Sequence, residues 1–396
     1  MKRAMTALVS TFVLGLPLAA CSSPSDTGSA DESAATATTC GNGTRDTGEQ
    51  CDDGNTRNLD GCDSTCSFEQ ENRIDSVALQ FGTDSFCGAN AIGKAIGSEA
   101  KSTISSALTS AIGDGSISIL FKFMGLTDLS GQSDASFQVG GMVGAPVASS
   151  SYNGAKDLDD WYTPDETSLD AKLNPTALLA ASFKSGALTA GPGNLDISLS
   201  LGGSAIPVSL TGVKVDATAT TATKPAESAG ATEPGHLASE HLDPALTSFG
   251  GLSNGAICGN IVAASLAAAP VPPQLQSGAT SCGEGYGANN SMLDVFVGGC
   301  SVFLFTIISK TQPDAVTSTT AGGPFKLIAS TSSKKVDTCT GASGKAVPLS
   351  TCLEDAAYST YLTFTSDRVI VRAPAAVTTD AGSPASDAGK GADAAK

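Results

Sequence analysis

Apolar residues recur along this chain with two periods. Val77, Leu79 and Phe81 alternate with Ala78 and Gln80, which predicts a half-buried strand. Ile92, Ile96, Ile104, Leu108 and Ile112 recur at multiples of four through a Ser/Ala-rich stretch. That spacing predicts one or two short helices, ended near Gly113-Asp114-Gly115. Period two returns at Ile117, Ile119, Phe121 and Phe123. It is cleanest at Leu195, Ile197, Leu199 and Leu201, where Asp196, Ser198 and Ser200 take the other face. Gly202-Gly203 then read as a turn, Ile206, Val208 and Leu210 as the returning strand, and the phase shift past Thr211-Gly212 to Val213 and Val215 as a bulge.

Beyond these strands the pattern loosens. Residues 217–250, rich in Thr, Ala, Pro and Gly, read as a long surface excursion. Ala256 to Ala268 reads as a short Ala-rich helix, stopped by Pro270, Pro272 and Pro273. Residues 292–308, MLDVFVGGCSVFLFTII, are the most apolar run; Asp294 and Gly298-Gly299 interrupt it, so it reads as core strands rather than a membrane span. Tyr358 to Arg372 reads as a closing hairpin that turns at Thr365-Ser366-Asp367-Arg368. Many strands with few helices predict a mainly β fold, a β-sandwich-like domain with short helical insertions over residues 74–373, followed by a low-complexity tail at 374–396.

Composition narrows the function classes. Charged residues are only 15% and the formal net charge is −17, with 22 basic against 39 acidic side chains. Such a chain lacks the clustered Lys and Arg that a nucleic-acid backbone demands, and charge does not draw it to anionic lipid. Lys2 and Arg3 precede an apolar run through Val9, Phe12, Val13, Leu14, Leu16 and Leu18, a secretory signal over residues 1–20. The run ends Leu18-Ala19-Ala20-Cys21, which resembles the bacterial lipobox. The resemblance implies diacylation of Cys21 and a lipid anchor in the membrane. Ser22 stands where an inner-membrane retention aspartate would be, which leans the expectation toward the outer membrane. Residues 21–39 have no apolar periodicity and read as a lipidated N-terminus with a tether.

Without Cys21, ten of the 11 cysteines remain, an even number suited to pairing in an oxidising compartment. Four of them, Cys40, Cys51, Cys62 and Cys66, fall in a segment with no aliphatic residue but Leu59. Such a segment needs covalent or metal staples. Zinc motifs favour C-x2–4-C pairs, and only Cys62/Cys66 fits, so disulfides are expected. Cys40-Gly41-Asn42-Gly43, Gly48 to Asn55 and Asp60-Gly61-Cys62 resemble the cysteine-rich repeat of myxobacterial surface proteins, itself loosely similar to Notch-type calcium modules. The module spans residues 40–68. Leu59 stands where glycine is common in that repeat, and Asp63 where serine is common; if the glycine serves a positive φ, Leu59 makes the turn costlier. Disulfide closure would bring Asp52, Asp53, Asn55 and Asp60 together, hard oxygens that suit calcium. Among the other six cysteines the expected pairs are Cys282–Cys300, Cys339–Cys352 and Cys87–Cys258, one of 15 connectivities.

Few constellations point to catalysis. Gly251-Leu252-Ser253-Asn254-Gly255 matches the nucleophile-elbow pattern, but no buried strand is read before it and no histidine follows His241. His236 and His241 flank Glu240 between prolines and read as surface-loop histidines. Asp157, Asp159, Asp160, Asp165 and Glu166 surround Trp161 and Tyr162, an acidic loop that would suit sugar or calcium, though Trp161 packed into the core beneath a solvated turn is the favoured reading. The sequence therefore leads to the expectation of a lipid-anchored envelope surface protein that binds or adheres, with a surface glycan or protein as ligand. The alternatives are a glycan-directed hydrolase using carboxylates near Trp161 and a purely structural envelope lipoprotein.

Overall fold

The structure, a computed structural model, describes residues 40–146, 161–201, 204–225, 241–277, 281–303, 305–318, 323–341 and 343–374. The expected signal, Cys21, the tether, the tail from 375, His236, Glu240, Asp157, Asp159, Asp160 and the side chain of Trp161 lie outside the described residues.

The chain runs β1 (Glu71–Leu79), α1 (Ala91–Ala95), α2 (Ser98–Gly113), β2 (Ser118–Met124), β3 (Ser133–Pro146), β4 (Trp161–Pro164), β5 (Ala177–Lys184), β6 (Ala187–Leu201), β7 (Ser204–Ala219), β8 (Ala222–Thr223), β9 (Ser248–Phe249) and β10 (Gly251–Val262). It continues through α3 (Ala263–Ala268), α4 (Pro273–Gln276), α5 (Met292–Gly298), β11 (Cys300–Val302), β12 (Phe305–Ile308), β13 (Ala315–Val316), β14 (Lys326–Ala329), β15 (Val336–Thr340), β16 (Ala346–Pro348) and β17 (Ala356–Val371). The fold is mainly β, but it is a barrel and not two stacked sheets. Strands β1-β2-β3-β5-β6-β7-β10-β17 pair antiparallel in that order, and β17 pairs back onto β1. Closure leaves these eight strands without a free edge.

An eight-stranded barrel is just wide enough for side chains to fill it. Here phenylalanines do so. Phe123 lies 5.1 Å from Phe249 edge-on, Phe137 stacks on Phe183 at 5.2 Å, and Phe121 meets Phe364 at 5.7 Å. One end of the lumen is polar: Gln70 Nε2 donates to Asn72 Oδ1 (2.8 Å) and to the Phe249 carbonyl (3.2 Å), and Arg368 Nη1 donates to Ser248 Oγ (2.9 Å). The short β4 wedges between β3 and β17 at this end, parallel to β17. At the other end, around Ala356 and Tyr358, α1, α3, α5 and β14–β16 build a second core.

Three expectations change. Gly251–Val262 is a strand, and only Ala263–Ala268 is helical. Its small residues are what the wall requires, since a Cβ on Gly255 would lie 2.4 Å from the Phe364 ring. Tyr358 to Val371 is not a hairpin but part of one 16-residue strand, with Thr365-Ser366-Asp367-Arg368 paired to β1 and Ser366-Asp367 paired to β10 as well. The apolar run 292–308 is not two core strands. Ser291 and Asp294 form a reciprocal capping box that starts α5, Gly299 ends it at φ 80°, and a hairpin of β11 and β12 follows. The bulge expected at Thr211-Gly212 is present: Cys258 faces Lys214 while Asn260 faces Thr211, with Gly212 at φ 59°.

The cysteine module docks on the polar end of the barrel. Its disulfides are Cys40–Cys66 and Cys51–Cys62, and their sulfurs pack with Phe68, Leu129, Leu242 and Leu246. Leu59 takes the left-handed conformation at φ 62°, the glycine-like geometry the repeat pattern implied, yet its side chain is fully buried with Leu120, Met142, Tyr162, Val369 and Val371. Strain of about 1 kcal/mol is thus outweighed by about 2 kcal/mol or more of leucine burial. Leu59→Ala is expected to destabilise by about 2–4 kcal/mol. Leu59→Gly should fall between the two, because glycine takes this φ freely. Urea midpoints check the order; a glycine variant as stable as the natural chain would show that the leucine is no peg.

Candidate functional site

The module is organised by Asp52. Its Oδ2 accepts from the amides of Gly41 (3.0 Å) and Asn42 (3.2 Å), and its Oδ1 from those of Gly43 (2.9 Å) and Gly54 (2.8 Å). Glycines at positive φ turn these amides inward. Burial works against the charge of Asp52, but the four amides more than offset it and hold the carboxyl below its ordinary value. Both oxygens are therefore spent on the backbone, and Asp52 drops out of the expected calcium set.

Asp53 and Asp60 behave differently. Their carboxylates face each other within hydrogen-bonding range, and Asp60 is 6% exposed. Asp53 Oδ2 and Asp60 Oδ1 have no hydrogen-bond donor. Burial raises both carboxyls, with Asp53 and Glu69 adding to the repulsion at Asp60, which is pushed up to about 9. Asn55 is beside them, but its Oδ1 accepts from the Arg57 amide (2.8 Å) and its side-chain amide is turned to Asp60. The residues thus fit a divalent ion held between two carboxylates, not by four side chains. Glu49, Asp52 and Cys66 also converge, as do Cys282, Glu284 and Cys300, but their sulfurs are tied in disulfides.

Beneath the module runs a buried ion triad. Glu69 Oε2 accepts from the amides of Asp60 and Gly61, both at 3.1 Å, while its Oε1 binds Lys122 Nζ. Lys122 Nζ also lies 3.7 Å from Glu71 Oε1, and Glu71 Oε2 accepts from the Val371 amide at 2.9 Å. Module, β1, β2 and β17 are joined in one line. Burial, reinforced by Glu69, pushes Glu71 up to about 8. Burial opposes the Lys122 charge, yet Glu69 and Glu71 hold the ammonium above its ordinary value. Sequence reading missed this triad; the signal was a single lysine between Phe121 and Phe123 in the alternating run.

A cleft of about 320 Å³ opens where the module meets the barrel lip, with Lys122 and Glu69 on its floor and Asn58, Asp63, Thr65, Ser67, Thr127 and Asn174 around it. A broader depression of about 400 Å³, lined by Ser76, Asn254, Tyr361 and Thr363, lies on the barrel wall.

The other expected sites resolve as structure. Tyr162 is fully buried under the Arg73 guanidinium, 5.4 Å from its ring, and does not meet a ligand. The backbone of Trp161 pairs with Ile370. Asp165 caps a short turn at Glu166–Ser168. Ser253 lies within β10, where its hydroxyl donates to the Thr218 carbonyl at 3.3 Å, so Gly251–Gly255 is no nucleophile elbow. The His241 carbonyl accepts from the Asp52 amide at 2.9 Å and helps dock the module. Cys87–Cys258, Cys282–Cys300 and Cys339–Cys352 are all formed as expected. Comparison with protein-family models, characterised proteins and solved structures finds no match to this chain.

Proposed function

We propose that the chain is an exported protein, lipid-anchored at Cys21 in the bacterial outer membrane, whose barrel and docked cysteine module form a non-catalytic binding head for a surface glycan. Five disulfides support export to an oxidising compartment. The observation that carries the reading is the cleft at the module–barrel joint. Amides, hydroxyls and the half-buried Asp63 carboxylate surround it, Phe68 supplies an apolar wall, and the barrel lumen is already filled. That lining matches a sugar's alternating hydroxyls and apolar ring faces. Binding of envelope polysaccharide fragments on a glycan array, lost in Asn174→Ala and Thr65→Ala, is the expected result. Release of new reducing ends would instead make it a hydrolase, and silence across glycans would sink the reading.

Calcium belongs to the same proposal as the ion that relieves Asp53 and Asp60. The module shares its core with the barrel, so the whole chain is the right sample. Saturating calcium is expected to stabilise it by about 1.5–2.5 kcal/mol over sodium at matched ionic strength, for concentrations roughly 10–100 times the Kd. Asp53→Asn should abolish the difference. Asp52→Asn should lower stability in both salts alike. Equal melting of the natural chain in the two salts would leave a proton, not an ion, between the carboxylates.

A further inference from the structure

The apolar run that reads from sequence as core strands ends in the open. Val302 pairs with Phe305 at the tip of the β11–β12 hairpin, leaving a two-residue connection, Phe303-Leu304. Such connections favour Asn-Gly, because their residues need positive φ. Here Phe303 takes φ 53° and is 87% exposed, and Phe305 is 58% exposed. The chain accepts backbone strain to display aromatic side chains, a local rule broken without any gain inside the fold. Leu304 lies outside the described residues.

The hairpin's backbone has little left to offer a partner strand. On the outer edge of β12, the Gly97 amide donates to Ile307 O (2.8 Å) and the Ser309 amide to Ala95 O (2.7 Å). On the outer edge of β11, the Gly283 amide donates to Ser301 O (2.7 Å) and the Ser301 amide to Glu284 Oε2 (3.0 Å). Strand addition by a second copy would have to break these bonds. What remains is side chain alone, which suits a medium that takes apolar groups without directed hydrogen bonds. The base of the hairpin is fixed by Cys282–Cys300. Exposed Lys310 follows β12, its Cγ lying 3.0 Å from where a Gly299 Cβ would stand, and exposed Lys94 ends α1 beside Ala95. In a chain with 39 acidic side chains, these lysines at the hairpin's base would meet anionic headgroups above an inserted aromatic tip.

We infer that the Phe303/Phe305 hairpin tip inserts into the interface of a lipid bilayer carrying anionic headgroups. The inference does not depend on acylation of Cys21, so its test uses a chain beginning at Ser22. That chain should float with vesicles of phosphatidylcholine and phosphatidylglycerol. Phe303→Ser with Phe305→Ser should cut the bound fraction at least about tenfold with an unchanged melting temperature. Lys94→Ala with Lys310→Ala should remove the advantage of phosphatidylglycerol over phosphatidylcholine alone. In Phe303→Trp, indole emission should shift to the blue on adding vesicles. Failure to float, flotation unchanged by the double serine variant, or a dimer in sedimentation that the serine variant dissociates would each overturn it, the last by assigning the tip to a second copy.

Discussion

Lys122→Met is expected to cost about 3–5 kcal/mol, because removing the ammonium leaves the buried Glu69 carboxylate without its counter-charge. Glu69 is 6% exposed and Glu71 fully buried, so water does not take over the lost interaction. The module should loosen with the fold, since Glu69 is also what holds the Asp60 and Gly61 amides. Above about pH 8, where Glu71 is ionised, adding Glu71→Gln to Lys122→Met should recover part of the loss, as one of the two charges goes. Denaturant unfolding of the three chains measures this directly. A Lys122→Met protein as stable as the natural one would mean that the triad is not a joint at all.

The same residues set a pH dependence. Glu71 ordinarily titrates near 4.5 and is pushed up to about 8 in the fold. A raised carboxyl favours the folded state while protonated, so its contribution is complete below about pH 4.5 and is lost as pH rises through about 8. Stability should therefore fall across that window, by a few kcal/mol at most for a single group. Asp52 acts oppositely: its carboxyl is held below 3.8, so its contribution is lost only as pH falls below that value. Glu71→Gln should make the alkaline slope shallower, Asp60, pushed up to about 9, supplying the rest, and should leave the acid one. A slope unchanged by that substitution would place the responsible proton elsewhere.

The pattern of the chain made the β6–β7 hairpin and its bulge legible, because Leu195 to Leu201 and Ile206 to Leu210 alternate cleanly, a Gly-Gly joins them, and the phase shifts past Thr211-Gly212. Strand β17 was hidden by four polar residues that resemble a turn. Within the barrel those residues have distant partners: Ser366 Oγ accepts from the Leu252 amide, Arg368 reaches Ser248, and Asp367 pairs in register with Arg73. None of these partners lies nearby in sequence. Barrel closure was hidden for the same reason, since alternation shows that a strand exists and not which edge it meets. Asp53 and Asp60 were legible only as two of four oxygen-bearing residues gathered among the cysteines. Asp52 was misread because its role depends on backbone amides, which have no letter of their own. Leu59 was read correctly as a breach of the turn rule, but its compensation, a pocket formed by β2, β3, β4 and β17, could come only from the fold.

Replacing both Cys87 and Cys258 with alanine should destabilise the chain more than removing any other single bridge. The two are 171 residues apart, against 18 for Cys282–Cys300 and 13 for Cys339–Cys352. Chain-entropy scaling gives about 5 kcal/mol for the long loop and about 3 kcal/mol for the 18-residue one. The native geometry supports the larger figure. Cys258 lies in the middle of β10, between Lys214 of β7 and Tyr361 of β17, and Cys87 sits in a tight turn whose amides are held by Asp84. Lys214 lies over the neighbouring Phe86 ring at 5.5 Å, so the turn is seated on the wall around the bridge. The bond therefore fastens the segment leading into α1 and α2 to the barrel and closes more than a third of the chain. Denaturant midpoints of the two alanine pairs, measured side by side, give the comparison. Should the Cys87/Cys258 pair cost no more than the Cys282/Cys300 pair, the turn at residues 84–88 must detach as a local unit before the barrel opens, and the bridge would then hold only that turn.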